Sequence, residues 1–317
     1  MARRGRHVQP RRRRGPVLAA GGLAAVVALA AFAVDAVRDG RDPGLGVGPR
    51  AALEAGAVVA PLSVVPSPED DAGTPAAPVT TTAGTASASA RSRERDVRRA
   101  VAAALRDRRG VVDVAITDVS GRKVVHAGNG RPVRTASIVK LLVLRALQDR
   151  GSVTRTERIL ATRMITRSDN AATTTLWRAA GRNPAVARAA KAAGMTRTTQ
   201  IRTRLMRWDG WQTTAEDQVR LLTSISRGRG ADDRWTRSLM ARVIASQDWG
   251  VGAVPGATGV KNGWLPVEGG WIVNTDGCVK KGRRVLCVSV LSTGSRSFAA
   301  GIRTVELAAK AAVRAWG

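Results

Sequence analysis

The stretch "TASIVKLLVLRAL", Thr135 to Leu147, places a lysine inside an otherwise apolar helix, three residues after a serine. Lysine is among the residues least often fully buried, and burying its charge costs several kcal/mol unless it is paired or neutral. Residues three apart on a helix share a face, so the Lys140 amine comes within reach of the Ser137 hydroxyl. A serine hydroxyl is a weak nucleophile until a nearby base takes its proton. Lysine becomes that base when burial and neighbouring positive charge depress its pKa. Bringing it from about 10.4 to about 8 costs roughly 3 kcal/mol. The S-x-x-K spacing also arises by chance and becomes specific only alongside further motifs.

Charge narrows the choice. The chain has 317 residues, with 52 Lys and Arg against 24 Asp and Glu, a net charge of +28. Only seven of the 52 are lysines, and two of these, Lys140 and Lys261, fall in "SIVK" and "VKNG". Arginine cannot give up its proton, whereas lysine can. A basic chain binds phosphate backbones by counterion release. Yet aromatics make up 3%, there is no tyrosine, and no zinc-finger or RNA-recognition signature is present. No specific nucleic-acid partner is expected. The two histidines, His7 and His126, and two cysteines, Cys278 and Cys287, are too scattered for a metal site. No H-E-x-x-H and no G-x-S-x-G occurs, and a Ser-His-Asp triad could be built only through His126.

Four regions follow along the chain. Residues 1–16 form a basic tail, and Val17 to Val34 an uncharged run of 18 residues. As a helix that run spans about 27 Å, close to the hydrocarbon core of a bilayer. Arginines before it predict a cytoplasmic N-terminus. The run reads as a retained signal anchor, or, through Ala31-Phe32-Ala33, as a cleavable signal peptide. Either reading places the remainder outside the cytoplasm. Residues 35–91 are rich in Pro, Ser, Thr and Ala and read as a disordered linker, with a reach on the order of 40 Å. The domain of residues 92–317 keeps a net charge of +24, which suits anionic wall polymers or lipid.

Within that domain an amphipathic helix precedes the strands "VVDVAITDV" and "KVVHAG". Residues 152–245 read mainly as helices and loops. Strand patterns return in "TGVKNGW", "GGWIVNTDGCV" and "RRVLCVSVLS", and a helix from Phe298 to Trp316 closes the chain. The expected architecture is α/β (α+β): an antiparallel sheet flanked by terminal helices, with an all-α lobe inserted. A hairpin centred on Gly282-Arg283 sets Cys278 opposite Cys287. A disulfide there and two free buried thiols are both compatible with the pattern.

Two more motifs join Ser137 and Lys140. Ser168-Asp169-Asn170 precedes a helix-like run, where an N-cap is the simplest reading. Lys261-Asn262-Gly263 lies in a strand, where Asn-Gly alone would signal a tight turn. In this order the three motifs resemble those of the serine β-lactamase and penicillin-binding-protein superfamily, most closely the class A β-lactamases, which carry S-x-x-K, S-D-N and K-T-G. The resemblance covers roughly residues 92–317. It implies an active-site serine hydrolase acting on a β-lactam or a D-Ala-D-Ala-like wall peptide, with no cofactor and no metal, as a monomer. Ser137 would be acylated, with Lys140 as its base. Ser168 would relay a proton to the leaving nitrogen, and Asn170 would hold the substrate amide. Lys261 would attract the substrate carboxylate, assisted by a donor from Asn262. Gly263 completes the third motif, and the backbone N–H groups of Ser137 and Trp264 would form the oxyanion hole, each donor worth about 3–4 kcal/mol.

The chain departs from the family in three ways. Asn262 stands where Thr or Ser is usual. Only 31 residues separate Ser137 from Ser168, which trims the helical lobe. No match is found for the glutamate that activates the deacylating water in class A enzymes. Between Ala171 and Thr214 the only acid is Asp209, the sole substitute base available. Without a general base, hydrolysis of the acyl-enzyme slows by roughly 10²–10⁴ or more. Slow deacylation is therefore expected, and a non-catalytic penicillin-sensing or wall-binding domain is the alternative. Trp208, Trp211, Trp249 and Trp271 are candidates for shaping a substrate groove, although core or rim packing is the commoner role of such residues.

Overall fold

A computed structural model describes residues 82–121, 123–201 and 207–317. The expected basic tail, apolar run and most of the linker lie outside the described residues. Among the described residues no helix is long and apolar enough to cross a membrane.

The chain enters through α1 (Thr82–Leu105), which starts ten residues ahead of the expected boundary at Ser92. Its first turns are rich in alanine, the strongest helix former, so the helix extends into sequence that reads as linker. Then come β1 (Val111–Asp118), β2 (Val125–Ala127) and β3 (Val133–Arg134). A 3₁₀ turn over Ala136–Val139 leads into α2 (Lys140–Gln148). Every residue of α2 except Arg145 is buried. A helix apolar on nearly all sides has to lie at the centre of a lobe. The helices packed around it are α3 (Arg155–Thr166), α4 (Asn170–Ala179), α5 (Arg182–Ala192), α6 (Ala215–Arg227) and α7 (Ala231–Met240). Leu142, Leu144, Leu147, Met164, Leu176 and Val186 are among its fully buried side chains. Two short strands interrupt this lobe, β4 (Thr199–Gln200) and β5 (Trp211–Thr213), and they join β3 in a three-stranded sheet.

The main sheet is completed by β6 (Ala257–Val267), β7 (Gly270–Lys281) and β8 (Arg284–Ser295). Its order is β2-β1-β8-β7-β6, antiparallel throughout, which leaves β6 at an edge. The last helix, α8 (Phe298–Ala315), packs with α1 on one face, burying Val97, Val101, Val305 and Val313 against Val288 and Val290. The opposite face takes α6 and the serine turn, where Ile138, Ala215 and Val219 meet Ala115 and Leu291. The expected antiparallel sheet between terminal helices, with a helical lobe beside it, is the observed architecture.

Cys278 and Cys287 are direct cross-strand partners and are joined by a disulfide in the structure. The cysteines are nine residues apart, so loop closure favours the folded state by roughly 2.5–3 kcal/mol. Replacing both cysteines by serine is expected to lower the unfolding free energy by about that amount, read by urea denaturation. An unchanged midpoint would show that the bond adds nothing.

His126 sits on β2 at the opposite edge of the sheet from β6. Its Nε2 lies 3.1 Å from Oδ1 of the buried Asp113. That pairing and position remove it from the serine chemistry, so no triad is built through it.

Candidate active site

Three elements converge: the serine turn ahead of α2, the loop between α3 and α4, and the edge strand β6. The backbone is strained at two of these points. Ala136, just before Ser137, has φ 47°, and Ser168 has φ 56°. Non-glycine residues seldom adopt this region, and where they do the surroundings force it, often at functional sites. The turn is held from the sheet by Asn274 on β7, whose Nδ2 donates to the carbonyls of Arg134 and Thr135 at 2.9 and 3.2 Å. Nothing in the sequence marks Asn274, which reads there as one polar residue in a strand.

Lys140 is fully buried. Its Nζ donates to the Ser168 carbonyl at 2.6 Å and to Asn170 Oδ1 at 2.8 Å, and lies 3.0 Å from Ser168 Oγ. It makes no hydrogen bond to Ser137. Burial is the main cause that pushes its pKa well below the ordinary lysine value, and the nearby charge of Lys261 adds to this. A neutral amine donates two hydrogen bonds and accepts one. The Ser168 carbonyl and Asn170 Oδ1 would take the two protons, and the Ser168 hydroxyl would donate back.

Lys261, 1% exposed, brings its Nζ to 3.0 Å from the same Ser168 Oγ and 2.8 Å from the Asn262 carbonyl. Burial lowers its pKa to about 7. Two lysines thus converge on one hydroxyl. Asn170 opens α4 and is exposed, with Oδ1 held by Lys140 and its amide nitrogen without a partner among the described residues. Asp169 is the helix N-cap, accepting from Ala172 N and bridged by Arg163, so it serves the fold.

Gly263 allows β6 to lie against the serine turn. A Cβ there would stand 2.7 Å from Ser137 N and 2.9 Å from Ile138 N. Trp264 follows on the same edge strand, its ring 5.9 Å from Trp249 and 5.2 Å from Phe298.

One expectation needs correction. Asn262 was expected to donate to a substrate carboxylate. Side chains alternate along a strand, and Asn262 points to the face opposite Lys261 and Gly263. Its Nδ2 donates to the carbonyls of Gln247 and Trp249 at 2.8 and 3.0 Å. Both amide hydrogens are therefore engaged, and Asn262 holds a loop rather than a ligand. Asp209, the possible substitute base, forms an ion pair with Arg207 at 3.3 Å, and its charge acts on Lys140 without a hydrogen bond between them. Trp208, its neighbour, lies against Lys140, with Nζ 5.0 Å from the ring centroid. Trp211 is core, 2% exposed with its Nε1 on Asn183.

Comparison with known proteins adds to this geometry. Residues 150–316 match the family model described as the beta-lactamase enzyme family. The match includes Ser168, Asn170 and Lys261 and begins after Ser137 and Lys140. None of the curated proteins compared with the chain matches it. Among solved structures, a class A beta-lactamase from Bacteroides cellulosilyticus is similar at 17% identity and TM-score 0.62, covering 71% of this chain and 98% of that one. A beta lactamase from Xanthomonas campestris shares 17% identity, TM-score 0.61, covering 71% and 99%. A class A beta-lactamase from Mycobacterium abscessus shares 18%, TM-score 0.58, covering 70% and 99%. At these identities the likeness establishes the fold.

Proposed function

The chain belongs to the beta-lactamase enzyme family, and from that premise we propose that it is an exported serine acyl-transfer enzyme that is acylated on Ser137 and deacylates slowly. The observation that carries the reading is the meeting of Lys140 and Lys261 on Ser168 Oγ, each at 3.0 Å. That arrangement joins a base, a proton relay and a cation.

Ser137 Oγ attacks the carbonyl carbon of a β-lactam or of a D-Ala-D-Ala-like peptide. Its proton passes to the neutral Lys140 amine, through a hydrogen bond that forms when substrate binds. Negative charge grows on the carbonyl oxygen, facing the backbone N–H groups of Ser137 and Trp264. The C–N bond breaks, and the leaving nitrogen takes the Ser168 hydroxyl proton. The Lys140 ammonium then reprotonates Ser168. Lys261 attracts the substrate carboxylate, and the amide nitrogen of Asn170 takes the substrate's side-chain carbonyl.

Hydrolysis of the acyl-enzyme needs a base for water. The face of Trp208 lies against Lys140, and an aromatic ring accepts no proton from water. Asp209, whose charge acts on Lys140, is paired with Arg207, which weakens it as a base. The acyl-enzyme is therefore long-lived. The same ring favours a second reading, a penicillin sensor that is acylated once and does not turn over. Export by the Val17 to Val34 run, and attraction of the +24 domain of residues 92–317 to anionic wall polymers, belong to both readings.

Intact-protein mass spectrometry of the full chain with benzylpenicillin, followed over time, tests the proposal. The expected result is an adduct of one drug mass that persists, and its absence in Ser137→Ala. An adduct unaffected by Ser137→Ala, or none with any β-lactam, would overturn the assignment. Product accumulating beyond one equivalent would separate the enzyme from the sensor.

A further inference from the structure

Asp276 is a carboxylate in the interior of a sheet. It lies on β7 directly across from Lys261 on β6, and Ser289 on β8 lies directly across from it in turn. Direct cross-strand partners point to the same face. The row Lys261, Asp276, Ser289 therefore runs inward beneath the candidate site. Asp276 is 0% exposed, and neither carboxylate oxygen has a hydrogen-bond partner. The pair makes no direct salt bridge. A buried carboxylate without a compensating partner is costly, and an apolar residue would fill this position more cheaply.

The charged groups around the pair are few. Lys140 on α2 shares Ser168 Oγ with Lys261. On α6, Asp217 is bound by Arg220 and Thr198, and Glu216 lies 4.0 Å from Arg220. On α7, Asp233 pairs with Arg145, and Asp232 and Arg237 complete the helix's nearby charges. Burial is the dominant influence on both members of the pair, raising the Asp276 carboxyl and lowering the Lys261 amine, and it leaves each at about 7. Against burial, the nearby Ser289 hydroxyl and the Lys261 charge favour the Asp276 anion, and Asp276 is the charged group that raises the Lys261 amine.

We propose that Asp276 is a positioning residue for the candidate reaction, a buried counter-charge directly across from Lys261 that favours the cationic form of Lys261 over that of Lys140 beside it. Two adjacent buried lysines otherwise compete to lose their charge. Asp169 and Asp209 also act on Lys140, but burial and the Lys261 charge outweigh them; with Asp276 directly across from Lys261, the division of labour is that Lys261 anchors the substrate carboxylate and Lys140 takes the proton. This inference rests on the acylation reading for its catalytic consequence, though not for the coupling itself.

Asp276→Asn keeps the shape and removes the charge. In the full chain, ¹³C spectra of the lysine ε-carbons follow seven residues, with Lys261 assigned through Lys261→Arg. The titration midpoint of Lys261 is expected to fall by at least about one unit in Asp276→Asn, and Asp276→Glu to restore it. Acylation supplies the second readout. At pH 7.5 the variant is expected to lose roughly tenfold or more in acylation by benzylpenicillin, and little with its methyl ester, which lacks the carboxylate. The ratio of variant to native rate with the free acid should rise as pH falls and Lys261 regains its proton. Should Asp276→Asn not fold, Asp276→Ser serves as the neutral variant. An unchanged Lys261 midpoint, or an equal loss for acid and ester at every pH, overturns the proposal. If neither probe acylates the native protein, the acylation reading fails, and the lysine spectra still decide the coupling.

Discussion

Lys140→Met is expected to slow acylation of Ser137 by between about 10² and 10⁴, the range a positioned general base supplies. Methionine fills the same volume without a proton acceptor, so the loss reports chemistry rather than collapse. The pH profile sharpens the test. The Lys140 pKa is depressed chiefly by burial and further by Lys261, so its basic form accumulates as pH rises through that lowered value. Native acylation should therefore rise along an acid limb, and that limb should vanish in Lys140→Met. The rates are read by stopped-flow or quenched mass spectrometry. A variant that retains the limb would assign the base elsewhere.

The same substitution makes a stability prediction of opposite sign. A lysine with a depressed folded pKa binds fewer protons folded than unfolded between its folded and unfolded values. Its burial therefore destabilises the protein below about pH 10, and the penalty grows as pH falls toward the folded pKa. Lys140→Met should melt above the native protein at pH 7, with the gap narrowing near pH 10. Higher stability with lost activity is the signature of a residue retained for function.

The sequence made Lys140 legible because an apolar helix has few reasons to contain a lysine, and the structure places that lysine where it meets Ser168 and Asn170. Lys261 was legible for the same reason, as one of two lysines in ordered motifs. The strands and terminal helices followed from alternation and amphipathicity, which are local properties. What eluded the sequence depends on strand register and loop path. Asn262 was assigned to the ligand because its motif neighbours face the site, yet the period of two in a strand turns it to the other face. Trp208 and Asp209 are adjacent, and nothing local says that the ring of the first packs on Lys140 while the second acts on it by charge. Asp276 did leave a signal, a lone carboxylate in "WIVNTDGCV", but only the pairing of β6 with β7 gives it a partner. Asn274 becomes meaningful in the same way, opposite Gly263 and under the serine turn.

Gly263→Ala is expected to reduce acylation by about 10² or more and to destabilise the fold by roughly 1–3 kcal/mol. The added Cβ would stand 2.7 Å from Ser137 N, 2.9 Å from Ile138 N and 2.9 Å from the Thr135 carbonyl. All three are backbone atoms, so no side chain can swing away. Either β6 moves outward or the serine turn moves inward. The turn is held by the Asn274 bonds and already contains the strained Ala136, so β6, an edge strand with no neighbour beyond it, gives way. That displacement carries Lys261 away from Ser168 and Trp264 away from Ser137, so the relay and the oxyanion donors shift together. A shift on the order of 1 Å is enough for the expected loss. Gly121→Ala is the control, since its Cβ would meet nothing nearer than 3.5 Å. Stability is read by thermal or urea unfolding and acylation by mass spectrometry. Full activity in Gly263→Ala would mean that the close approach of β6 to the serine turn is not required, and the oxyanion role of Trp264 would fall with it.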